Sequence, residues 1–213
     1  MCLALLDGRA WTGGELARHA GVAPSTASAH LTSLVAGGLL AEERQGRHRY
    51  VRLADAPTAH LIEELAAFSG PPPEPRGTLR ARSASNAMAR ARTCYDHLAG
   101  RLGIVITDAM TDRGLLAQVG GFTLTDDGLD WFAARGIDLP ARHTGRRPLA
   151  RPCLDWTERR PHLSGASGAA LCAHALAAGW CVRIGTSRAL QVTDTGFGEL
   201  HNLLGIEPAA LEV

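Results

Sequence analysis

The sequence predicts a mainly α protein with small β-hairpins, an α+β chain in two unequal parts, and three observations predict it. Apolar residues at helical spacing, punctuated by glycine stops, run through residues 1–36. Two short alternating runs, 39–43 and 48–53, flank the tip Gln45-Gly46-Arg47 as a hairpin. Then Ser69-Gly-Pro-Pro-Pro-Glu-Pro-Arg-Gly77 places four prolines in nine residues, which cannot continue a helix and favour an extended link. The expected organisation is a first domain at 1–68, a proline-rich linker at 69–78 and a second domain at 79–213.

Taken in order, residues 2–6 make an apolar helical start. Thr12 stands three residues before Glu15, the spacing at which a hydroxyl and a carboxylate cap each other's backbone amides. The helix at 15–19 ends at Ala20-Gly21, where glycine can turn left-handed. Pro24 suits the first turn of the next helix, whose Ala27, Leu31, Leu34 and Val35 share one face until Gly37-Gly38 stops it. After the hairpin, residues 55–68 return to helix. Helix, helix, turn, helix, hairpin, helix is the order of a winged helix-turn-helix.

Beyond the linker, 79–112 reads as mostly helical, with glycines that allow close packing. Two later stretches resemble each other: Phe122-Thr-Leu-Thr-Asp-Asp-Gly-Leu129 and Leu190-Gln-Val-Thr-Asp-Thr-Gly-Phe197. Each is a short strand, a Thr-Asp cap and a helix, the helices ending at Gly136-Ile137 and Gly205-Ile206. One strand-to-helix unit is used twice, too few copies for a solenoid. The second domain is therefore expected to combine helices with short strands.

Composition narrows the function classes. The net charge of the 213 residues is +1, which excludes a uniformly basic nucleic-acid binder, so any attraction to phosphate must be local. All 22 basic side chains are Arg, and residues 1–70 hold six of them against seven acids. No apolar run is long enough for a bilayer, and the opening residues lack a basic region and a cleavage site, so a cytoplasmic location is expected. Five cysteines without a C-x-x-C pattern read as reduced thiols, not a disulfide framework.

A helix that reads DNA needs one apolar face for its own core and one short polar face for base edges. Ser25, Thr26, Ser28 and Thr32 meet that need at the start of the second helix. His30 beside them is either a packing residue or a DNA contact. Arg44, Arg47, His48, Arg49 and Arg52 cluster at the hairpin, which alone would be a solvated turn but after such a helix reads as a wing on the phosphates. The segments Glu15-Leu-Ala-Arg-His-Ala-Gly21, Ser25-Thr-Ala-Ser-Ala-His-Leu31, Leu34-Val-Ala-Gly-Gly-Leu39 and Arg44-Gln-Gly-Arg-His-Arg-Tyr50 together resemble the ArsR/SmtB family of winged-helix repressors. The resemblance implies a homodimer on double-stranded DNA. Its usual dimerising helix before residues 1–6 does not stand in this sequence, so either the natural start lies further upstream or the dimer forms through a long helix near residues 80–102 or the domain beyond.

The resemblance does not carry a metal site. Leu16-Ala-Arg-His-Ala20 offers no Cys, and Asp55 and His60 lack a second pair downstream, so neither a metal nor a cofactor is expected. Cys94 and His97, read as i and i+3 on a helix, are packing or interface residues or a thiol or metal sensor. Cys172 and His174 would diverge on a helix; Cys153 and His162 stand nine apart across Pro161; no tetrad shows. The stretch 142–160 holds six Arg and two acids and fits an anionic ligand, further phosphate contacts or a solvated loop. Trp156 within it lines a pocket or enters the core. The second half is similar to regulator domains with an Arg-Thr-Cys-Tyr-Asp-His-Leu-Ala-Gly segment and an Asp-Trp-Thr-Glu-Arg-Arg segment.

The leading expectation is a sequence-specific DNA-binding transcriptional regulator, a homodimeric repressor answering a small-molecule effector, with Cys94, His97 and Trp156 as candidate sensing residues. One alternative is a redox- or metal-responsive regulator using Cys94 and His97. Another is an enzyme whose winged helix is an interaction module. The chain lacks a P-loop, a G-x-S-x-G elbow, an H-E-x-x-H pair and a dinucleotide fingerprint, so no enzyme is expected.

Overall fold

In the computed structural model, residues 1–46, 48–68, 79–140 and 147–212 are described; the expected linker, the wing-tip Arg47 and the first part of the Arg-rich stretch lie outside them. The first part opens with a 3-10 turn, Cys2–Asp7, and a two-residue strand β1 (Trp11–Thr12). Helices α1 (Gly13–Ala20) and α2 (Pro24–Ala36) follow, then strands β2 (Leu40–Gln45) and β3 (His48–Leu53), then helix α3 (Ala56–Phe68). The sheet order is β1-β3-β2, all antiparallel, which is a winged helix-turn-helix. Local signals set it out. The Thr12 hydroxyl accepts from Glu15 N–H, and the Glu15 carboxylate accepts from Thr12 N–H at 2.7 Å. Gly21 takes the left-handed φ of 67° that ends α1. Leu5, Leu6, Leu16, Leu31, Leu40 and Val51 close one core between these elements.

The second part departs from the expected long helix. Helix α4 (Leu79–Arg90) stops, and a tight hairpin of β4 (Arg92–Cys94) and β5 (His97–Ala99) intervenes before helix α5 (Gly100–Asp112). Tyr95 adopts a left-handed φ of 57° at the reversal, and Gly100 one of 72° where β5 gives way to α5. Thr93, Cys94, His97 and Leu98 are all buried, so this stretch shows no one-sided helical stripe. Next come β6 (Leu116–Ala117), β7 (Thr123–Leu124) and α6 (Asp126–Ala133). The same succession then repeats: hairpin β8 (Arg151–Leu154) and β9 (Pro161–Ser164), helix α7 (Gly165–Ala177), hairpin β10 (Cys181–Arg183) and β11 (Leu190–Val192), helix α8 (Asp194–Leu204). A 3-10 turn, Pro208–Leu211, follows.

The similarity visible in the sequence is thus the tail of a longer duplication. Arg92, Cys94, Asp96, His97-Leu98, Gly100 and Gly103 recur as Arg151, Cys153, Asp155, His162-Leu163, Gly165 and Gly168. Thr125 and Thr193 cap α6 and α8 in the same way, each accepting from a glycine amide three residues on at 3.0 Å. The two units share one core, to which Leu102, Ile106, Met110 and Phe132 contribute from the first and Leu163, Leu171, Leu200 and Leu204 from the second.

Two glycines set how closely the units meet. A Cβ on Gly103 would stand 2.6 Å from the Leu98 carbonyl oxygen and 3.6 Å from His162 Cβ. A Cβ on Gly168 would stand 2.6 Å from the Leu163 oxygen and 3.2 Å from His97 Cβ. Each unit's helix therefore makes room for the other unit's histidine, as a two-fold relation demands.

Gly168→Ala should accordingly lower stability by about 1–3 kcal/mol, since the crowding is against backbone. Gly198→Ala, on the open side of α8 with nothing within 4 Å of its Cβ, should instead raise it by about 0.5–1 kcal/mol. Urea unfolding of the two variants beside the parent chain decides this; equal midpoints would remove the close-approach argument.

Candidate functional site

Two places in the molecule gather chemistry. The first is the outer face of α2. Ala27 and Leu31 are buried under it, while Ser25, Thr26, Ser28, His30 and Thr32 are all exposed, which is the placement base contacts require. Ala23, at the N-cap, supplies no side-chain hydrogen bond, so the first amides of α2 keep their donors for an outside acceptor. The wing stands beside it. Arg44 and Arg49 face each other across the β2–β3 register, and Glu42 accepts from both, at 3.1 Å and 2.7 Å. Those bonds, with Arg44 first, hold the Glu42 carboxyl below its usual range. His48 is exposed, and Arg52 is turned back onto the Leu53 and Ala54 carbonyls. Sequence reading took the wing as a free cationic cluster; Glu42 already neutralises part of it.

The second place is buried between the two repeat units. Cys94 and His97 are not on a helix face: they are directly opposed partners across β4 and β5, and Cys153 and His162 are directly opposed across β8 and β9. His97 Nε2 meets His162 Nε2 at 3.1 Å, and Cys94 Sγ lies 3.9 Å from Cys153 Sγ. All four side chains are buried, and their donor atoms lie within 4.8 Å of one another. The tetrad absent from the sequence reading is therefore assembled by the fold. Its signal was the repeated Cys-x-Asp and His-Leu-x-Gly-x-x-Gly pattern. Cys172 and Cys181 stand apart from it, and burial pushes their thiols up to about 11 and about 12, which leaves them inert at neutral pH.

The outer nitrogens of both histidines face carboxylates. His97 Nδ1 is 3.3 Å from Asp96, which Arg147 grips with two bonds of 2.6 Å and 2.9 Å; His162 Nδ1 is 3.6 Å from Asp155. Burial opposes a charge on His97, but the bonds to Asp96 and Cys94 outweigh it and carry its pKa up to about 9. Burial, and then the charge of His97, push His162 down to about 3. When His97 is protonated, its Nε2–H faces His162 Nε2 as donor to acceptor. The contact between Cys94 and Cys153, and burial, raise the Cys94 thiol well above its ordinary value.

This cluster touches the DNA-binding half. Cys94 Sγ donates to Glu63 Oε2 of α3 at 2.7 Å, and His60 Nδ1 of the same helix lies 3.9 Å from it. Glu63 also accepts from Arg188 at 2.8 Å and faces the buried Arg92 at 3.8 Å. Trp156 lies against the Arg92 guanidinium, 4.9 Å from ring centre to Cζ, and packs on the winged-helix core. Of the two places open to it, the core is where it goes.

Residues 2–44 match the model of the IclR helix-turn-helix domain. The chain is also 40% identical, over 195 residues, to a Bacillus subtilis (strain 168) protein named as the uncharacterized HTH-type transcriptional regulator YdfF. That alignment covers 91% of this chain and 85% of the relative. Over these residues the chain is similar to the IclR type of helix-turn-helix, and the ArsR/SmtB resemblance drawn from the sequence is not supported. The residues that carried that resemblance are those any helix-turn-helix needs: a short polar face, glycine stops and a basic wing.

The histidine pair predicts a pH profile. His97, raised to about 9 from 6.5, contributes stability that is full below pH 6.5 and lost as pH rises to about 9. His162, lowered to about 3, makes stability fall as pH drops below 6.5, because the unfolded chain takes the proton that the folded one refuses. With a chelator present, stability should therefore peak near pH 6.5, and His97→Gln should flatten the alkaline side. An unchanged alkaline slope in that variant, by urea midpoint, would show that His97 does not hold its proton this way.

Proposed function

We propose, from the premise that this chain belongs to the HTH-type transcriptional regulators, that it works as an effector-responsive homodimeric repressor reading double-stranded DNA with α2. The protein is a DNA-binding transcriptional regulator. The observation that carries the reading is the exposed row Ser25, Thr26, Ser28, His30 and Thr32 on a helix whose other face is buried, with Arg44, His48 and Arg49 beside it. On phosphate, Arg44 and Arg49 exchange Glu42 for the backbone. Arg47, at the wing tip, is assigned the same role from the sequence.

One α2 spans only a few base pairs, too few to discriminate against the excess of nonspecific DNA. Two copies about a two-fold axis place their reading helices about 34 Å apart on an inverted repeat. The helix expected at residues 80–102 does not exist as one piece, and the exposed residues 82–86 of α4 are its remaining surface for a second copy. No described helix is long and apolar enough to cross a membrane, and we place the regulator in the cytoplasm with no enzymatic step of its own.

Fluorescence anisotropy with the DNA upstream of the protein's own gene tests this. Ser28→Ala with Thr32→Ala should weaken operator binding by about 1–3 kcal/mol per lost base contact while leaving nonspecific binding unchanged. Loss of both kinds of binding alike would remove α2 as the reading element. For the wing, Arg44→Ala with Arg49→Ala should reduce the slope of log affinity against log salt by about one unit per lost phosphate contact. Glu42→Gln, which frees both guanidinium groups, should instead tighten nonspecific binding; a weaker complex would mean that Glu42 itself faces the DNA favourably.

A further inference from the structure

We propose that Cys94, His97, Cys153 and His162 together bind one zinc-class divalent ion on the pseudo-two-fold axis of the second domain, and that its binding is felt by α3 of the DNA-binding half. The regulatory clause rests on the function proposed above; the ion site does not.

The donor set comes first. Two sulfurs and two imidazole nitrogens converge from four buried side chains, with all four donor atoms within 4.8 Å of one another. A tetrahedral zinc with Zn–N of about 2.0–2.1 Å and Zn–S of about 2.3 Å has an N···N edge of about 3.3 Å and an S···S edge of about 3.8 Å. The corresponding separations here are 3.1 Å and 3.9 Å. Two thiolates exclude the hard cations that take oxygen ligands, and a tetrahedral N2S2 set selects zinc among the soft ones.

The surroundings match that chemistry. Each histidine turns Nε2 inward and Nδ1 outward; His97 Nδ1 is hydrogen-bonded to Asp96, the arrangement that fixes a metal-binding imidazole, while His162 Nδ1 lies 3.6 Å from Asp155 without a hydrogen bond. Both carboxylates are held in turn, Asp96 by Arg147 and Asp155 by Arg92, at 2.6–2.9 Å. The two hairpins give the same pair, Cys opposite His, so the two-fold relation by itself alternates sulfur and nitrogen around a centre. Gly103 and Gly168 supply the space that lets the histidines reach it. Four polar side chains with no shared task would be a costly way to fill a core.

Transmission runs through one hydrogen bond. Metal ligation releases to solvent the protons of the Cys94 and Cys153 thiols and the one carried on His97 Nε2. The Cys94 proton is the one now donated to Glu63 Oε2 on α3 at 2.7 Å. With the ion bound, that bond is gone and two anionic atoms face each other, so Glu63 turns away toward Arg188 and draws on α3. The ion therefore shifts the seat of the winged helix on the second domain, and operator affinity falls.

The test uses the reduced full-length chain. Cobalt(II) should bind at one equivalent, give thiolate charge-transfer and tetrahedral d–d absorption, and be displaced by zinc. Cys153→Ser and His162→Gln should lose these bands, and Cys172→Ser should keep them. Because the first two variants alter buried side chains, X-ray absorption on the zinc-loaded parent chain is the second measurement. It should show two sulfur and two nitrogen neighbours; a shell with one sulfur, as His60, Glu63 and Cys94 would give, or no stoichiometric binding, overturns the site. Operator binding should be about 5–150-fold weaker for the loaded chain than for the chelated one, and Glu63→Gln should shrink that factor while still binding cobalt. Equal affinities overturn the coupling alone. Binding of no DNA in either state overturns the DNA-binding reading and leaves the ion site standing.

Discussion

A guanidinium withdrawn from water has to bring its counter-charges with it, and Arg92 takes them from two distant parts of the chain. Its side chain is 1% exposed; Asp155 of the second repeat unit lies 2.9 Å away, and Glu63 of α3 lies 3.8 Å away. The Met88 carbonyl accepts a further bond at 3.0 Å. Arg188 balances the second acid, so the group is two cations and two anions. Such a network adds little net stability over an apolar core, but removing one member strands a buried charge at a cost of about 3–5 kcal/mol. It therefore acts as a constraint on arrangement. Hairpin β4–β5, hairpin β8–β9 and helix α3 have to meet, or Arg92 is left unpaired.

Asp155 extends that constraint to the histidines. One of its oxygens accepts from Gly100 N–H at 2.7 Å as well as from Arg92, and faces His162 Nδ1. The other accepts from the Thr157 and Glu158 amides. Burial opposes its ionisation, yet Arg92 and His162 keep it ionised well below the usual carboxylate range. The start of α5 and the second hairpin are thereby tied to one carboxylate. The duplication is not kept in the same detail on the other side. Arg151, which corresponds to Arg92, is exposed and reaches Glu64 of α3, while Asp96, which corresponds to Asp155, is gripped by Arg147. The symmetry fails where the winged helix docks: α3 meets Arg92 and Cys94 of the first unit through the buried Glu63, and Arg151 of the second only through the partly exposed Glu64.

What the sequence made legible was local. Thr12 with Glu15, Gly21, Pro24, Thr125 and Thr193 act on backbone groups a few residues away, and each behaved as its type dictates. The hairpin at 92–99 was hidden because its reversal carries Tyr95-Asp96, with none of the glycine or asparagine that marks a tight turn. Without that turn, Cys94 and His97 looked like neighbours on a helix. The tetrad was hidden for a second reason. His97 and His162 are brought together across 65 residues by packing of two copies, and spacing within either copy says nothing about the other. The Arg-x-Cys-x-Asp and His-Leu-x-Gly-x-x-Gly repetitions were the sequence signal for it, and six extra residues between them in the second hairpin blurred the alignment.

Helix α3 explains how one chain can join these two kinds of site. Ala59 and Ile62 lie on the face turned to the winged-helix core, three residues apart. His60, Glu63 and Glu64, at i, i+3 and i+4, lie on the face turned to the second domain, where they meet Cys94, Arg188, Arg92 and Arg151. The helix is about 10 Å across and internally hydrogen-bonded, so it moves as a body and not one face at a time. A change in what Cys94 offers Glu63 therefore has no local outlet. The apolar face packs Ala59 and Ile62 on the same core that holds Leu31 of α2, so in the coupling proposed above a displacement of Glu63 is carried to the reading helix through that shared core.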